Sequence, residues 1–357
     1  MPHAPEVTHH TMADGVRVAL ERRGSGPVVW QMPHGLASFT HDAENPVTAP
    51  VARALSARHT LVRHELRGCG GAVAGAGTAL DLDAWLGDVE QLAETIAAPT
   101  FALVGQSQGA ALAIAYAARH PHRVSRLVLH GGCARGRRLR EPEAAAELDM
   151  VERLAELGWD RADAAFRQVH TTQILPGARR AEQARYNDAQ RSATGGATAA
   201  RLLHAFETID VSALLPQLRC PTLVLHSRDD ARVPHAEGLE LAAGIPGAEF
   251  VSIASPNHLL VESDPAWPRW LEAVREFLAP VQREHAQAEV SARLTARQRV
   301  LVELLAQGRC NAQIAGELGL SAKTVRNHMS ELFACLAVEN RGQAIVAARQ
   351  VGYGLGG

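Results

Sequence analysis

Phe101-Ala102-Leu103-Val104-Gly105-Gln106-Ser107-Gln108-Gly109 is the stretch on which the fold turns. Four apolar residues run straight into Gly-x-Ser-x-Gly. The pattern predicts a short buried strand, a tight turn with Ser107 at its apex, and a helix over residues 110–119. Such a serine is a nucleophile elbow only in company, because a hydroxyl is a weak nucleophile until a base takes its proton and an acid orients that base. Both partners follow in chain order. Residues 221–226 read as a buried strand with Asp229-Asp230 on the loop after it. Residues 250–254 read as another, with His258 on the next loop. In open α/β sheets, catalytic groups gather at the carboxyl ends of strands.

Outward from this core, residues 16–20 and 28–31 read as the strands of an opening hairpin, with Ala13-Asp14-Gly15 as a turn. Residues 60–63, 101–105 and 126–130 read as buried strands, and residues 46–57, 80–97 and 110–119 carry helical periodicity. Strand and helix alternating in this way predict an α/β fold, a mostly parallel sheet with helices on both faces. From 133 to 210 the pattern is helical only, over 141–157, 162–168, 179–190 and 199–207. This block is expected to be a lid inserted into a core made of residues 1–132 and 211–280. The alternation resumes at 222–226, 250–253 and the helix 267–278, and the polar stretch 281–290 reads as a linker.

The chain has 357 residues, enough for two or three domains with a sizeable core. No run of about eighteen apolar residues could cross a bilayer, and Met1-Pro2-His3-Ala4-Pro5-Glu6 lacks the basic-then-apolar order of a secretory signal, so a cytoplasmic location with no membrane partner is expected. The five cysteines are scattered without any Cys-x-x-Cys, which suggests neither a disulfide framework nor a metal site; no metal and no cofactor are expected. Net charge is −2, unevenly spread. Residues 291–357 hold eight bases (Arg293, Arg297, Arg299, Arg309, Lys323, Arg326, Arg341, Arg349) against four acids, so that segment is +4 and the remainder −6. A basic module on an acidic body is what a chain shows when only one end meets phosphates.

That end has its own punctuation. Thr295 is an N-cap by type, followed by apolar Val300, Leu301, Leu304 and Leu305 at helical spacing, and Gly308 stops the helix. Asn311 starts a second helix over 312–318, Gly319 ends it, and Ser321 caps a third from 322 to about 336. Two helices joined by so short a turn predict a helix-turn-helix forming a separate small all-α domain, 291–357. Its second helix would put Val325, Met329 and Leu332 inward and Lys323, Thr324, Arg326, Asn327 and Ser330 outward, toward double-stranded DNA.

Over about 16–280 the chain resembles the α/β-hydrolase superfamily. The resemblance implies Ser107 as nucleophile, Asp230 as the orienting acid with Asp229 the neighbouring candidate, and His258 as base. It also implies an oxyanion loop at His34-Gly35, which would place the backbone N–H of Leu36 beside that of Gln108. Two departures stand out: Asn257 precedes His258 where many relatives have glycine, and Glu65-Leu66-Arg67-Gly68 replaces the usual Asp-x-Arg-Gly. The serine excludes the branch that attacks with aspartate, leaving acyl chemistry on an ester, thioester, lactone or amide, and C–C cleavage. The other histidines, such as His9, His10, His120 and His204, read as solvated or structural. Trp159, Phe166 and Phe206 read as pocket or core lining, with nothing in the sequence to separate the two.

From 294 to 352 the chain resembles LuxR-type regulators, through Leu294-Thr295-x-Arg297, Leu304-Leu305-Ala306-x-Gly308, Asn311, Ile314-Ala315-x-x-Leu318, Ser321-x-x-Thr324-Val325-x-x-His328, Leu336-x-Val338, Arg341 and Ala344. Gln298, Cys335 and Ala337 stand where that family usually has Glu, Lys and Gly. The resemblance implies that Arg326, Asn327 and Ser330 reach base edges, that Lys323 and Thr324 hold phosphates, and that the chain works as a homodimer on paired half-sites. Two readings follow. One is a transcriptional regulator whose hydrolase domain senses a small-molecule ligand, and which could also hydrolyse it. The other is a serine esterase or lactonase whose tail only localises or regulates it.

Overall fold

The computed structural model describes residues 5–39, 44–72, 75, 77–279, 294–336, 338, 340–350 and 353–354; the linker expected at 281–290 and the departure at Ala337 lie outside them. Two compact units divide the chain, Met1–Leu278 and Ala279–Gly357.

In the first unit eight strands form one sheet: β1 (Glu6–Thr11), β2 (Arg17–Arg23), β3 (Val28–Gln31), β4 (Thr60–His64), β5 (Phe101–Gln106), β6 (Val124–His130), β7 (Thr222–Ser227) and β8 (Glu249–Ile253), in the order β1-β2-β4-β3-β5-β6-β7-β8. From β4 onward all neighbours are parallel, and β1 and β2 are antiparallel additions at one edge. The buried strands are apolar on both sides because both faces are covered. Trp30, Val62, Leu103, Leu127, Leu129 and Val224 face one core with α2 (Leu82–Ala93) and α3 (Gln108–Arg119). Their chain neighbours Val29, Leu61, Val104, Val128, Leu223 and Leu225 face the other, with α1 (Thr48–Ser56) and α10 (Trp267–Leu278). The strict two-residue alternation between the two clusters is the pleat itself.

The opening hairpin differs from expectation. Its strands are β1 and β2, turning through Ala13-Asp14-Gly15, whereas β2 and β3 never pair. The strand β4 lies between them, with Leu20 opposite His64 on one side and Val28 opposite Thr60 on the other. Gly24 and Gly26, both at positive φ, let the connection pass so close to Ser56, Arg58 and His59 that any side chain would collide with their carbonyls. The missed strand β1 is a half-exposed edge strand, Glu-Val-Thr-His-His-Thr, too polar to read as buried.

Between β6 and β7 lie only helices: α4 (Arg137–Arg140), α5 (Ala145–Gly158), α6 (Ala165–Ile174), α7 (Arg180–Ala193) and α8 (Gly196–Glu207). The ends of this insertion are stitched together by an isolated bridge between Arg135 and Asp210, with Gly136 N–H bonded to Ile209 O at 2.7 Å and Val211 N–H to Ala134 O at 2.8 Å. A further helix, α9 (His235–Gly244), joins β7 to β8 and was not legible as periodic sequence. The Glu65-Leu66-Arg67-Gly68 turn is held by its own charges: Glu65 accepts from Gly71 N–H at 2.8 Å and Ser38 Oγ at 2.5 Å, and Arg67 grips Asp88 through two nitrogens, each at 2.5 Å.

The second unit comprises α11 (Ala296–Ala306), α12 (Asn311–Leu318), α13 (Ala322–Cys335) and α14 (Arg341–Gln350) around Leu301, Leu305, Ile314, Val325, Met329, Leu332, Ala344 and Ala348. Thr295 caps α11 reciprocally with Gln298, so the exchange of Glu for Gln keeps the capping box. Gly319 ends α12 in the left-handed conformation, and Ser321 caps α13 by accepting from Thr324 N–H at 3.1 Å. No helix among the described residues is long and apolar enough to cross a membrane.

Candidate functional site

Ser107 sits between β5 and α3 at φ 52°, ψ −130°, and is the single non-glycine residue at positive φ among the described residues. That conformation costs on the order of 1–3 kcal/mol and persists only where the surroundings impose it. The flanking glycines show how. A Cβ on Gly105 would lie 2.6 Å from Ala110 Cα and from Gly109 O, and one on Gly109 would lie 2.6 Å from Pro33 O. The turn is therefore as tight as its backbone permits, and Gly-x-Ser-x-Gly is a steric requirement here.

The three residues picked out in sequence meet. His258 Nε2 lies 2.8 Å from Ser107 Oγ, and His258 Nδ1 lies 2.7 Å from Asp230 Oδ2. Asp229 is exposed on the same loop, and Asp230 is the carboxylate that turns inward. Asp230 Oδ1 accepts from the backbone N–H groups of Arg232 (2.8 Å) and Val233 (2.9 Å), so the carboxylate is held on both oxygens. Burial alone would raise its pKa. Attraction to His258 and hydrogen bonds from His226, His258 and Val233 N–H outweigh that and hold it well below the usual carboxylate range. Since an ionised carboxylate only accepts, His258 carries its proton on Nδ1 and offers a lone pair to the serine hydroxyl.

His226, at the end of β7, was not singled out in sequence. Its Nε2 lies 2.9 Å from Val233 O and 3.4 Å from Asp230 Oδ2, so this N–H bridges the acid to its own loop. A histidine closing an otherwise apolar strand was the only available signal. On the other face of the sheet, Gln31 Nε2 donates to Gln106 Oε1 (3.1 Å), and Gln106 Nε2 to His130 Nδ1 (3.3 Å). Burial pushes His130 down to about 3, so it stays neutral behind the elbow.

Asn257 is a structural knot. Its side chain accepts from Gly177 N–H in the insertion (2.8 Å) and donates to Asp264 (2.7 Å), while His258 N–H donates to Ile174 O (2.9 Å). The exchange of glycine for asparagine thus ties the histidine loop to α6 and the residues after it.

The cavity over Ser107 has an empty volume of about 340 Å³ and is lined by Gly35, Leu36, Gln108, His170, Tyr186 and Phe206 among others. Leu36 and Gln108, the expected oxyanion donors, both border it, and Gln108 opens α3, where backbone N–H groups lack intrahelical partners. Gly35, at φ +56°, turns the backbone into Leu36, and a Cβ there would lie 3.6 Å from Gln108 Nε2. A second recess on the Ser107 side, of about 480 Å³, is bounded by Arg137, Arg140, Glu207 and Arg232, whose charges pair with one another and with neighbours; Arg232 pairs with Glu207. A wider groove of about 1340 Å³ runs between α5, α8 and residues 78–81, but it contains none of the three residues and no comparable chemistry. Of the insertion's aromatics, Phe206 lines the cavity. Trp159 is core, donating to Gln190 O at 3.2 Å, and Phe166 packs at Gly158 beneath Arg161. His120 and His204 pair with Glu90 and Glu152, and neither borders the cavity over Ser107.

In the second unit α13 carries Val325, Met329 and Leu332 inward, with Lys323, Arg326, Asn327 and Ser330 exposed and Thr324 half-buried at its start. Arg341 and Arg349 are occupied elsewhere. Arg341 donates to Asn311 Oδ1 (2.8 Å) and to Arg309 O, and Arg349 to Ala306 O (2.8 Å).

The sequence matches the model of the alpha/beta hydrolase fold family over residues 32–265 and that of the bacterial regulatory proteins of the luxR family over 292–348. The spore germination protein GerE of Bacillus subtilis is 46% identical over 59 residues, 16% of this chain and 80% of that protein. A thermophilic esterase from Thermogutta terrifontis, solved with malate bound, is 26% identical, with a TM-score of 0.58 over 76% of this chain and 98% of its own. The esterase EaEST of Exiguobacterium antarcticum superposes with a TM-score of 0.65 over 76% and 99%, at 18% identity, a likeness of fold.

Proposed function

The chain belongs to the α/β hydrolase fold family and carries a luxR-family DNA-binding domain, and from that premise we propose a cytoplasmic transcriptional regulator whose first domain binds, and hydrolyses, a small acyl ligand. The observation that carries the hydrolytic part is the continuous relay Ser107–His258–Asp230, at 2.8 and 2.7 Å, on a strained elbow. In this reading Ser107 Oγ attacks the ligand's carbonyl carbon as its proton passes to His258 Nε2. The imidazolium is stabilised by Asp230, and the N–H groups of Leu36 and Gln108 take the developing oxyanion. His258 then returns the proton to the leaving group, and water, activated in the same way, releases the acid from the acyl-serine. The insertion serves as a lid, since its helices supply His170, Tyr186 and Phe206 to the cavity.

In the second domain, α13 lies in the major groove with Arg326, Asn327 and Ser330 at base edges and Lys323 and Thr324 at phosphates, in a homodimer on paired half-sites. The complete triad favours turnover over sensing alone. The test is labelling by a fluorophosphonate probe and hydrolysis of a generic ester panel, for wild type and Ser107→Ala, beside DNA binding by each. Folded wild type that resists the probe, or equal labelling of Ser107→Ala, overturns the nucleophile. Ligand dissociation constants identical with and without operator DNA overturn the regulatory coupling, because linkage requires the two sites to shift each other equally.

A further inference from the structure

Within the insertion, a row of side chains whose hydrogen bonds all run one way ends at His170, which borders the cavity over Ser107. Gln183 Nε2 donates to the backbone carbonyl of Leu175 at 2.8 Å, and a carbonyl can only accept. Gln183 Oε1 is therefore the end that receives Gln168 Nε2 (3.1 Å), and Gln168 Oε1 receives Asn187 Nδ2 (2.6 Å). Asn187 Oδ1 in turn receives the Thr171 hydroxyl (2.6 Å), Thr171 Oγ1 receives Gln190 Nε2 (2.8 Å), and Gln190 Oε1 is left to face His170 Nδ1 at 2.7 Å. Six bonds, anchored on one carbonyl, thus dictate that His170 carries its proton on Nδ1 and shows a bare lone pair at Nε2.

His170 is 93% buried, at 7% exposure, and borders the cavity over Ser107; its Nε2 has no hydrogen-bond partner among the described residues. Burial pushes it down to about 3, so it stays an acceptor throughout the neutral range. Tyr186, from α7, borders the same cavity, and its hydroxyl likewise has no hydrogen-bond partner among the described residues. Burial raises that phenol above its ordinary value, so it keeps its proton. Besides Ser107, the rest of the lining is Gly35, Leu36, Ile174, Leu203, Phe206 and Leu259, with Gln108 and Arg232; Arg232 is taken up by Glu207 and by Gln173 (3.4 Å), and neither it nor Gln108 is hydrogen-bonded to His170 or Tyr186. Neither atom is sealed in the core, so each stays open to a group that enters the cavity, and the His170 acceptor is held in one tautomer by the six bonds.

We propose that His170 and Tyr186 form a recognition subsite for a neutral hydrogen-bond donor, a hydroxyl or an N–H, carried by the ligand beside its carbonyl. The subsite rests on the reading of Ser107 as the position of that carbonyl. His170 accepts the donor's proton and Tyr186 supplies the second contact, so the ligand class is a hydroxy-acyl, hydroxyalkyl or acylamino ester or lactone and not a plain fatty ester. Sites built to bond a polar group discriminate strongly against analogues lacking it.

The test uses the full-length chain with Ser107→Ala, titrated calorimetrically with ethyl butyrate, ethyl 2-hydroxybutyrate, ethyl 3-hydroxybutyrate, 2-hydroxyethyl butyrate and N-acetylglycine ethyl ester. At least one donor-bearing ester should bind tenfold or more tightly than ethyl butyrate. Adding Tyr186→Phe, which removes one oxygen and keeps the ring, or His170→Phe should bring that preference to within about twofold of parity. Equal binding of all five esters overturns the subsite, as does a preference that survives Tyr186→Phe. Binding to Ser107→Ala needs no turnover, so a failure of fluorophosphonate labelling in wild type strikes the nucleophile alone, and a failure here strikes the subsite alone.

Discussion

Replacing Asp230 by Asn tests the relay at its most revealing point, because it changes the charge and the donor pattern while keeping the shape. Asp230 Oδ1 accepts two backbone N–H groups, at 2.8 and 2.9 Å, so an asparagine will keep its carbonyl oxygen there. Its NH₂ must then take the place of Oδ2, 2.7 Å from His258 Nδ1. Two donors cannot share that contact. His258 is driven to carry its proton on Nε2, where it meets the Ser107 hydroxyl at 2.8 Å with an N–H and no lone pair. The serine loses its base although nothing has moved. In a serine protease, a tautomer reversal of this kind lowers turnover by about 10⁴-fold, roughly 5.5 kcal/mol of barrier, and a similar loss is expected here. The assay is the second-order rate of fluorophosphonate labelling and of ester hydrolysis, with thermal unfolding as a check on the fold. A folded Asp230→Asn protein that labels within tenfold of wild type would refute the argument.

Ser107→Gly should be more stable than Ser107→Ala by about 1 kcal/mol, since glycine relieves the +52° backbone and alanine does not; equal denaturation midpoints would sink the claim of strain. Acid should weaken the first unit well before its carboxylates titrate. His64, His130 and His170 are each pushed to about 3 by burial, so between about 6.5 and 3 the unfolded chain binds up to three more protons than the folded one. Their stabilisation is full above pH 6.5 and declines on acidification by at most about 4 kcal/mol per pH unit; a flat urea midpoint from pH 7 to 5 would contradict this. In the second unit, Arg326→Ala should cost about 1–3 kcal/mol in DNA binding and relax base preference, while Lys323→Ala should weaken all sequences alike. Exchanged phenotypes in a binding-site selection would mean that α13 is rotated from its assigned face.

Much of this was legible because short-range sterics wrote it. Gly105, Ser107 and Gly109 announce the elbow, Asp230 and His258 follow the strands that must carry them, and Thr295, Gly308, Gly319 and Ser321 mark helix ends by cap chemistry. What was not legible depends on long-range partnership. Nothing local to residues 16–31 says that β4, thirty residues on, will part β2 from β3. His226 gains meaning only beside Asp230, and His170 only from a relay through Gln190, Thr171, Asn187, Gln168 and Gln183 on two helices. Asn257, a departure from the family pattern in sequence, turns out to be the tie between the histidine loop and the insertion.

The bonds from Arg341 and Arg349 bear on how the C-terminal unit comes together. Arg341 reaches Arg309 O and Asn311, Arg349 reaches Ala306 O, and Gly354 N–H meets Glu303 at 3.1 Å, so the last helix closes over the first. Helix-turn-helix α12–α13 is thereby a segment inside a ring and not a self-sufficient pair: the cluster holding Leu301, Leu305 and Ala306 is completed by Ala344, Ala348 and Tyr353, some forty positions later. A unit closed in this way is expected to unfold as one cooperative whole. A fragment cut at 348, where the match to the luxR family ends, is therefore expected to be less stable than one that runs to Gly354 and keeps its bond to Glu303.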